Sequence, residues 1–150
     1  MPTNLSLEEM MKLTDIHTVY EFTHEIQPLM ATVHPNPCWI IEPIGCDIAS
    51  TEGVSQMYQR MFPLINAANP PKTINTWFAD DGYIGEVASD KPTPDGGMAK
   101  SSQFAWCEIT DDLVSGECNY FDLDDVQYVV GVLGEDFFKL PGVTTAPTEP

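Results

Sequence analysis

The feature that most constrains the fold of this chain is a change of hydrophobic periodicity near Lys72. Before this residue, apolar side chains recur mainly at helical spacing, and after it they fall into short runs bounded by turn signals. Asp80-Asp81-Gly82 and Thr110-Asp111-Asp112 each separate two such runs, which predicts two antiparallel hairpins. Helices followed by antiparallel hairpins are typical of the α+β class.

The N-terminal half of the chain predicts three helices. Ser6 followed by Glu9 is a capping-box pattern, so the first helix should begin near Leu7, and Pro28 requires a break near Thr23. Ser50 and Thr51 are both suited to begin the third helix. The predicted apolar faces are Leu7, Met10, Met11, Ile16, Val19 and Tyr20 in the first helix, Leu29, Met30 and Val33 in the second, and Val54, Met57, Tyr58, Met61, Phe62 and Ile65 in the third.

Five strands and a last helix complete the predicted elements. Between the second and third helices, two prolines precede a short apolar strand, Cys38–Ile41. The strands predicted around the two turns are Thr73–Ala79, Tyr83–Ala88, Ser101–Ile109 and Leu113–Phe121. The last of these should run directly into a short helix over Asp124–Val130.

The length of 150 residues and the 43% of hydrophobic residues favour one domain with a real core. We place this domain at residues 7–139, after a flexible tail over residues 1–6. Residues 140–150 are rich in Pro and Thr, which predicts a disordered C-terminal tail.

The charge of the chain limits its partners. The formal net charge is −17, from 23 acidic and six basic residues, so nucleic acid and anionic membranes are poor partners. No signal sequence or long apolar run is evident, which predicts a cytoplasmic protein. The spacing of the four cysteines indicates free thiols, and we expect neither a metal nor another cofactor.

Three segments resemble one known family. They are the strand and turn Asn36–Gly45, the third helix with Glu52, Val54, Tyr58 and Phe62, and the late strand with Glu117, Tyr120, Phe121, Asp122 and Gly131. Together they resemble the SnoaL-like branch of the NTF2-like superfamily, which includes polyketide cyclases and proteins similar to ketosteroid isomerase. The resemblance implies a cone-shaped α+β fold, in which a curved antiparallel sheet and about three helices enclose an apolar pocket.

The resemblance also implies a role for Asp122, because polyketide-cyclase members use an aspartate of this strand region as general acid/base. The chain departs from those members in having no clear equivalent of their companion histidine. Its single arginine, Arg60, does not fit the Asp-Arg-Asp arrangement of the limonene-epoxide-hydrolase relatives.

Strand alternation predicts the neighbours of Asp122. If Asp111-Asp112 is a two-residue turn, Tyr120 lies opposite Gln103, and Cys118 lies opposite Ala105. If the face that carries Asp122 lines the pocket, Tyr120, Gln103 and Asp122 form its polar lining. Asp122 could instead be the N-cap of the following helix.

Other residues have two interpretations each. Glu42 is a second pocket acid or a solvated strand end. The aromatic residues could clamp a flat ligand or simply form the core; they are Trp39, Tyr58, Trp77, Phe104 and Trp106.

Two functions follow from this sequence. The first is an enzyme that cyclises, isomerises or dehydrates a hydrophobic cyclic molecule such as a polyketide or terpenoid, with Asp122, Tyr120 and Glu42 as catalytic residues. The second is a non-catalytic module that binds such a molecule. Two carboxylates converging in one cavity would favour the enzyme, and a pocket filled by Trp and Met would favour the module. We also predict a homodimer, because both faces of the second hairpin are partly apolar.

Overall fold

The computed structural model describes residues 3–42, 44–64, 71–92, 97–120, 130–131 and 133–145. In this part of the chain, three α-helices accompany a seven-stranded sheet. The helices are α1 (Leu7–Phe22), α2 (Ile26–Ala31) and α3 (Thr51–Met61). The strands are β1 (Val33–Ile41), β2 (Cys46–Ile48), β3 (Lys72–Ala79), β4 (Gly82–Pro92), β5 (Met98–Thr110), β6 (Leu113–Tyr120) and β7 (Val143–Thr145).

The helices begin and end where the capping residues predict. Ser6 Oγ accepts from the backbone N–H of Glu9, and the Glu9 carboxylate accepts from the backbone N–H of Ser6, so the capping box is confirmed. The predicted break near Thr23 is confirmed, since α1 ends at Phe22. Ser50 caps α3 by accepting from the backbone N–H of Gly53 at 3.0 Å.

The sheet is mixed, because one pair of strands within the predicted antiparallel sheet runs parallel. Its strand order is β3-β4-β5-β6-β1-β2-β7, and both predicted hairpins, β3–β4 and β5–β6, are confirmed. The exception is the pair of β1 and β6, which run parallel. These two strands are far apart in sequence and are joined through α3 and the intervening strands. They are therefore not bound to the antiparallel pairing of a tight turn.

The end of the chain is more ordered than its composition predicts. Leu140 is buried in the core, and Val143–Thr145 forms β7, which pairs with β2 at the sheet edge. Ser50 Oγ also donates to the carbonyl oxygen of Pro141 at 2.6 Å. The predicted tail at residues 140–150 is therefore wrong for residues 140–145, because apolar burial and strand pairing outweigh the local Pro/Thr composition. Residues 146–150 lie outside the described residues.

The buried face of α1 also differs from the prediction. Met10, Thr14 and His17 are buried, whereas Leu7, Met11 and Val19 are exposed. The face of α1 that packs toward the sheet is therefore partly polar. None of the helices in the described ranges is long and apolar enough to cross a bilayer. Most of the predicted helix at Asp124–Val130 lies outside the described residues.

Candidate functional site

A cavity of about 490 Å³ lies between α1 and one face of the strands β3 to β6. We call this face of the sheet the inner face. The residues of α1 that line the cavity are Thr14, Asp15, His17, Thr18, Val19, Glu21 and Phe22. The opposite wall consists of Pro71, just before β3, and of residues on the strands: Thr73, Thr76, Tyr83, Gly85, Val87, Gln103, Ala105, Cys107 and Glu117. Its wall thus combines apolar side chains with several ionisable ones, as ligand sites do.

A bulge in β6 decides which residues face the cavity. Thr110 pairs with Leu113, as a two-residue turn requires, and Ile109 pairs with Val114. The next pair is Glu108 with Gly116, so the register shifts by one residue between these two pairs. Ser115 is the extra residue, and its Oγ donates to Thr110 Oγ1 at 3.0 Å. Beyond the bulge, Cys107 pairs with Glu117. The register predicted from strict alternation is therefore wrong by one residue.

Glu117 lies on the inner face at 8% exposure, with its carboxylate held by a buried tyrosine. Tyr58 Oη donates to Glu117 Oε2 at 2.8 Å, and Trp39 Nε1 donates to Tyr58 Oη at 3.2 Å. Burial raises the pKa of Glu117, while hydrogen bonds from Tyr58, Asn119 and Trp39 oppose that rise by stabilising the ionised form. Glu117 is therefore a buried carboxyl group that accepts several hydrogen bonds from neighbouring side chains.

His17 is almost fully buried on the face of α1 toward the cavity, and its contacts define its tautomer. Thr32 Oγ1 donates to the carbonyl oxygen of Leu29 at 2.6 Å, so it must accept from His17 Nδ1, also at 2.6 Å. Nε2 is then an acceptor, 3.4 Å from Tyr58 Oη. Burial lowers the pKa of His17 to about 4, so the imidazole is neutral at pH 7.

Glu21 stands one helical turn after His17 and brings a second carboxyl group to the cavity. Burial raises the pKa of Glu21 well above its ordinary value, and the negative charge of Glu117 raises it further. Because Glu117 has hydrogen-bond donors that favour its ionised form, it loses its proton more readily than Glu21 does. Two carboxyl groups that differ in how firmly they hold a proton therefore line the same cavity.

Two further ionisable groups of the wall are held neutral. Burial raises the pKa of Tyr83 on β4 and of Cys107 on β5, and nearby negative charge adds to both shifts. Glu21 and Glu117 are therefore the carboxyl groups of this wall with raised pKa values, and a neutral histidine lies beside them. Within the described ranges, no cluster of His, Cys, Asp or Glu is arranged to hold a metal ion.

Three of the residues singled out from the sequence lie at or directly behind this cavity. Gln103 lines it. Tyr58 and Trp39 form the buried layer behind Glu117, where Tyr58 holds the carboxylate and Trp39 holds Tyr58. Tyr58 and Trp39 therefore position Glu117 through these hydrogen bonds.

The remaining candidates lie on the opposite, outer face of the sheet. Tyr120 pairs with Phe104 and is 51% exposed, Trp77 is 50% exposed, and Trp106 pairs with Cys118. Because of the bulge at Ser115, Tyr120 and Gln103 lie on different faces of the sheet. The prediction that these two residues cluster is therefore wrong. Glu42 follows β1 on this outer side, where its charge acts on Cys118 and Tyr120. Asp122 lies outside the described residues.

The sequence contained partial signals for the three groups that were missed. His17 and Glu21 stand four residues apart, and with Met10 and Thr14 they continue one helical face. Glu117 was noted as part of the family resemblance, but strand alternation puts it on the face opposite Asp122, whose face was the one considered as the pocket lining. A bulge of one residue carries no strong local signal here, so its inversion of the strand faces could not be foreseen.

Comparison with known proteins places this fold but not its chemistry. No family model and no curated sequence matches the chain. A protein described as a SnoaL-like polyketide cyclase from Jannaschia sp. CCS1 superposes with a TM-score of 0.69 and 11% identity, over 85% of this chain and 96% of that one. Other solved proteins that match are described as NTF2-like.

Two matching structures contain small molecules. A protein from Catenulispora acidiphila DSM 44928 with a ketosteroid isomerase-like fold, in complex with trimethylamine, has a TM-score of 0.64 and 12% identity, over 80% of this chain and 92% of that one. TerC, co-crystallised with polyporic acid, has a TM-score of 0.66 and 10% identity, over 81% and 97% respectively. This chain therefore has the NTF2-like α+β fold, and the resemblance read from its sequence is confirmed at the level of the fold.

Proposed function

We propose that this protein is an enzyme that uses Glu21 and Glu117 for general acid/base catalysis on a small molecule bound in the cavity. The observation that carries the proposal is the convergence of two carboxyl groups with raised pKa values, the buried Glu117 and the partly buried Glu21, on one cavity. Such a pair can keep one proton near neutral pH, which provides a base and an acid together.

The proposed reaction is a proton transfer next to a carbonyl group. The Glu117 carboxylate takes the proton from the carbon, and the electrons of the broken C–H bond move to form the enolate. Protonated Glu21 gives its proton to the enolate oxygen, so an enol results. If the substrate has a neighbouring C=C bond, Glu117 returns its proton to the far carbon of the dienol while the enol O–H gives its proton back to Glu21, which restores the carbonyl group and completes an isomerisation. The same first steps can begin a cyclisation or a dehydration.

The alternative function is a binding module that holds an apolar ligand without changing it. The lining of the cavity favours the enzyme, because its wall places two carboxyl groups beside a bound molecule. The small molecules found with proteins of this fold, trimethylamine and polyporic acid, support ligand binding for either function. Their identity does not select between the two, because one fold supports many activities.

The proposal can be tested without knowing the natural substrate. Cyclohexanone in D₂O exchanges its α-protons when a base removes them, and NMR follows this loss of signal. We expect the protein to accelerate the exchange, the Glu117→Gln variant to lose about a hundredfold or more of the acceleration, and Glu21→Gln to lose less. Glu108→Gln is the matched control, since Glu108 is exposed.

The result decides between the two functions. Line broadening of cyclohexanone by the protein without accelerated exchange would favour the binding module. Equal acceleration by Glu117→Gln and the control would remove Glu117 from the mechanism. A circular dichroism spectrum and an unfolding curve for each variant separate a lost catalytic group from a lost fold.

A homodimer formed through the outer face is also proposed. Trp77, Phe104 and Tyr120 are 50%, 42% and 51% exposed on this face, which is a large aromatic surface to leave in water. Sedimentation at micromolar concentration should show a species of twice 16.6 kDa. The double variant Trp77→Glu/Phe104→Glu should shift it to the monomer, whereas Met11→Glu, an exposed apolar residue on α1, should not. A wild-type protein that sediments only as a monomer would contradict the proposal.

A further inference from the structure

The cavity wall has acidic side chains and no basic ones among the described residues. Asp15, Glu21 and Glu117 line it, and none of the six Lys and Arg residues of the chain does in the described part. The ion pairs seen in that part lie elsewhere, for example between Arg60 and Asp136 and between Lys100 and Asp90. Among the described residues, no Lys or Arg therefore lines the cavity to balance the negative charge of Glu21 and Glu117.

The hydrogen-bonding groups at the carboxyl pair show the same imbalance. Tyr58 has one hydroxyl hydrogen, which it donates to Glu117 Oε2 at 2.8 Å, although His17 Nε2 also lies 3.4 Å from its oxygen. The tautomer of His17 makes Nε2 an acceptor, because Nδ1 donates to Thr32. The imidazole is 1% exposed, so water has little access to it. His17 Nε2 is therefore left without the hydrogen of Tyr58, whereas Glu117 keeps hydrogen bonds from Tyr58, Asn119 and Trp39.

The rest of the wall is apolar. Val19, Phe22, Val87 and Ala105 contribute hydrocarbon surface to the same cavity. An occupant that matches the whole wall needs a donor-rich positive end for the carboxyl groups and a hydrocarbon body for the remainder.

We infer that the molecule bound by this cavity carries a protonated amine on an apolar body. An alkylammonium group offers up to three N–H donors and one positive charge, which match the carboxyl groups of the wall and their unbalanced negative charge. This inference rests on the proposed function and adds the chemical class of its substrate. It leaves the proton-sharing pair in place, because one cation balances the single negative charge of the pair.

The groups that can titrate around the bound amine come from five elements. They are Asp15, His17 and Glu21 on α1, Tyr58 on α3, Tyr83 on β4, Cys107 on β5 and Glu117 on β6. As the pH falls, the pair of Glu21 and Glu117 takes up a second proton and loses its charge. Affinity for a cation should therefore fall with acidification, while affinity for a neutral molecule should not.

Three probes with the same ring test the inference: benzylamine as a cation, benzyl alcohol as a neutral molecule and benzoate as an anion. Titration at pH 7 should show benzylamine binding at least about tenfold more tightly than benzyl alcohol, a difference of about 1.4 kcal/mol, with benzoate weakest. In the double variant Glu21→Gln/Glu117→Gln the preference for benzylamine should disappear. In Glu108→Gln, which removes one exposed acidic charge outside the cavity, it should persist.

The outcomes separate this inference from the proposed function. Equal affinity for benzylamine and benzyl alcohol, or no binding of benzylamine in the millimolar range, would overturn the inference. A preference that survives in the double variant would also overturn it, because the attraction would then come from the overall charge of −17. If the cyclohexanone exchange still depends on Glu117 in any of these cases, the acid/base function stands and only the amine is wrong.

Discussion

The two faces of the β5–β6 hairpin are built from alternate residues of the same strands, yet they differ in kind. On the inner face Cys107 pairs with Glu117, and on the outer face Trp106 pairs with Cys118. Antiparallel sheets usually bury apolar residues and expose polar ones. Here a glutamate is buried and aromatic residues such as Phe104 are exposed. At Glu117 and Phe104 the usual burial of apolar residues and exposure of polar ones is therefore reversed, and a cavity lies over the inner face there.

Two glutamates of this hairpin show what the difference means for a side chain. Glu108 on β5 is exposed, whereas Glu117 on β6 is buried and held by Tyr58 at 2.8 Å. Burial of a carboxyl group costs free energy unless hydrogen bonds or a proton compensate it. On the inner face, the carboxyl group of Glu117 is buried at a cavity in spite of this cost. Buried ionisable groups in cavities are typical of functional sites.

The largest expected effect compares two tryptophans. Trp39 is fully buried behind Glu117, and Trp77 is half-exposed on the outer face. Trp39→Ala should lower the free energy of unfolding by about 3–5 kcal/mol, because it leaves a cavity and removes the donor to Tyr58. Trp77→Ala should lower it by about 1 kcal/mol or less per monomer. Urea unfolding measures both, and similar losses would contradict the assignment of the two faces.

The next effect concerns pH. His17 has a pKa of about 4 in the folded protein and an ordinary value of 6.5. Below pH 6.5 the unfolded state therefore binds more protons at this residue, so His17 makes the protein less stable as the pH falls. The contribution should reach about 2 kcal/mol by pH 5. Glu21 and Glu117 have the opposite sign, because raised pKa values let the folded state take up protons first.

A pair of histidine variants isolates this contribution. His17→Gln should remove the acid-side loss between pH 7 and pH 5, so its stability curve should diverge from that of the wild type. His34→Gln is the control, because His34 is only partly buried and faces Asp111 at the surface. Parallel curves for the wild type and His17→Gln would show that His17 does not remain neutral in the folded protein.

A smaller effect compares two tyrosines. Tyr58→Phe removes the donor to Glu117 and should cost about 1 kcal/mol of stability. It should also slow the cyclohexanone exchange, because Glu117 then loses a hydrogen bond that favours its ionised form. Tyr120→Phe, on the outer face, should change stability by less than about 0.5 kcal/mol and leave the exchange unchanged. A loss of exchange only in Tyr120→Phe would reverse the assignment.

Local signals predicted the elements of this fold well. Ser6 with Glu9, Ser50, and the turns at residues 80–82 and 110–112 all act over a few residues, and each stands where it was expected. The resemblance to SnoaL-like proteins extended these elements to the correct fold. The short strands β2 and β7 were missed, and β7 forms by pairing with residues of β2 that are distant in sequence.

The site was harder to predict because it depends on which face each residue takes. Ser115 shifts the register of β6 by one residue, and this shift moves Glu117 to the cavity and Tyr120 to the outer face. On α1, a search for apolar spacing pointed away from His17 and Glu21, because the helix faces a cavity with a polar wall. Gln103 was expected at the cavity and lies there. Asp122 remains a prediction, outside the described residues.

The most direct test of the central claim is an NMR titration of the glutamate carboxyl carbons, with Glu21 and Glu117 assigned from their Gln variants. In the wild type, Glu21 should titrate well above the ordinary glutamate range, chiefly because of burial and then because of the charge of Glu117. In Glu117→Gln the pKa of Glu21 should fall, since the repulsion is removed while burial remains. An ordinary pKa for Glu21 in the wild type, unchanged in Glu117→Gln, would contradict a proton-sharing pair in this cavity.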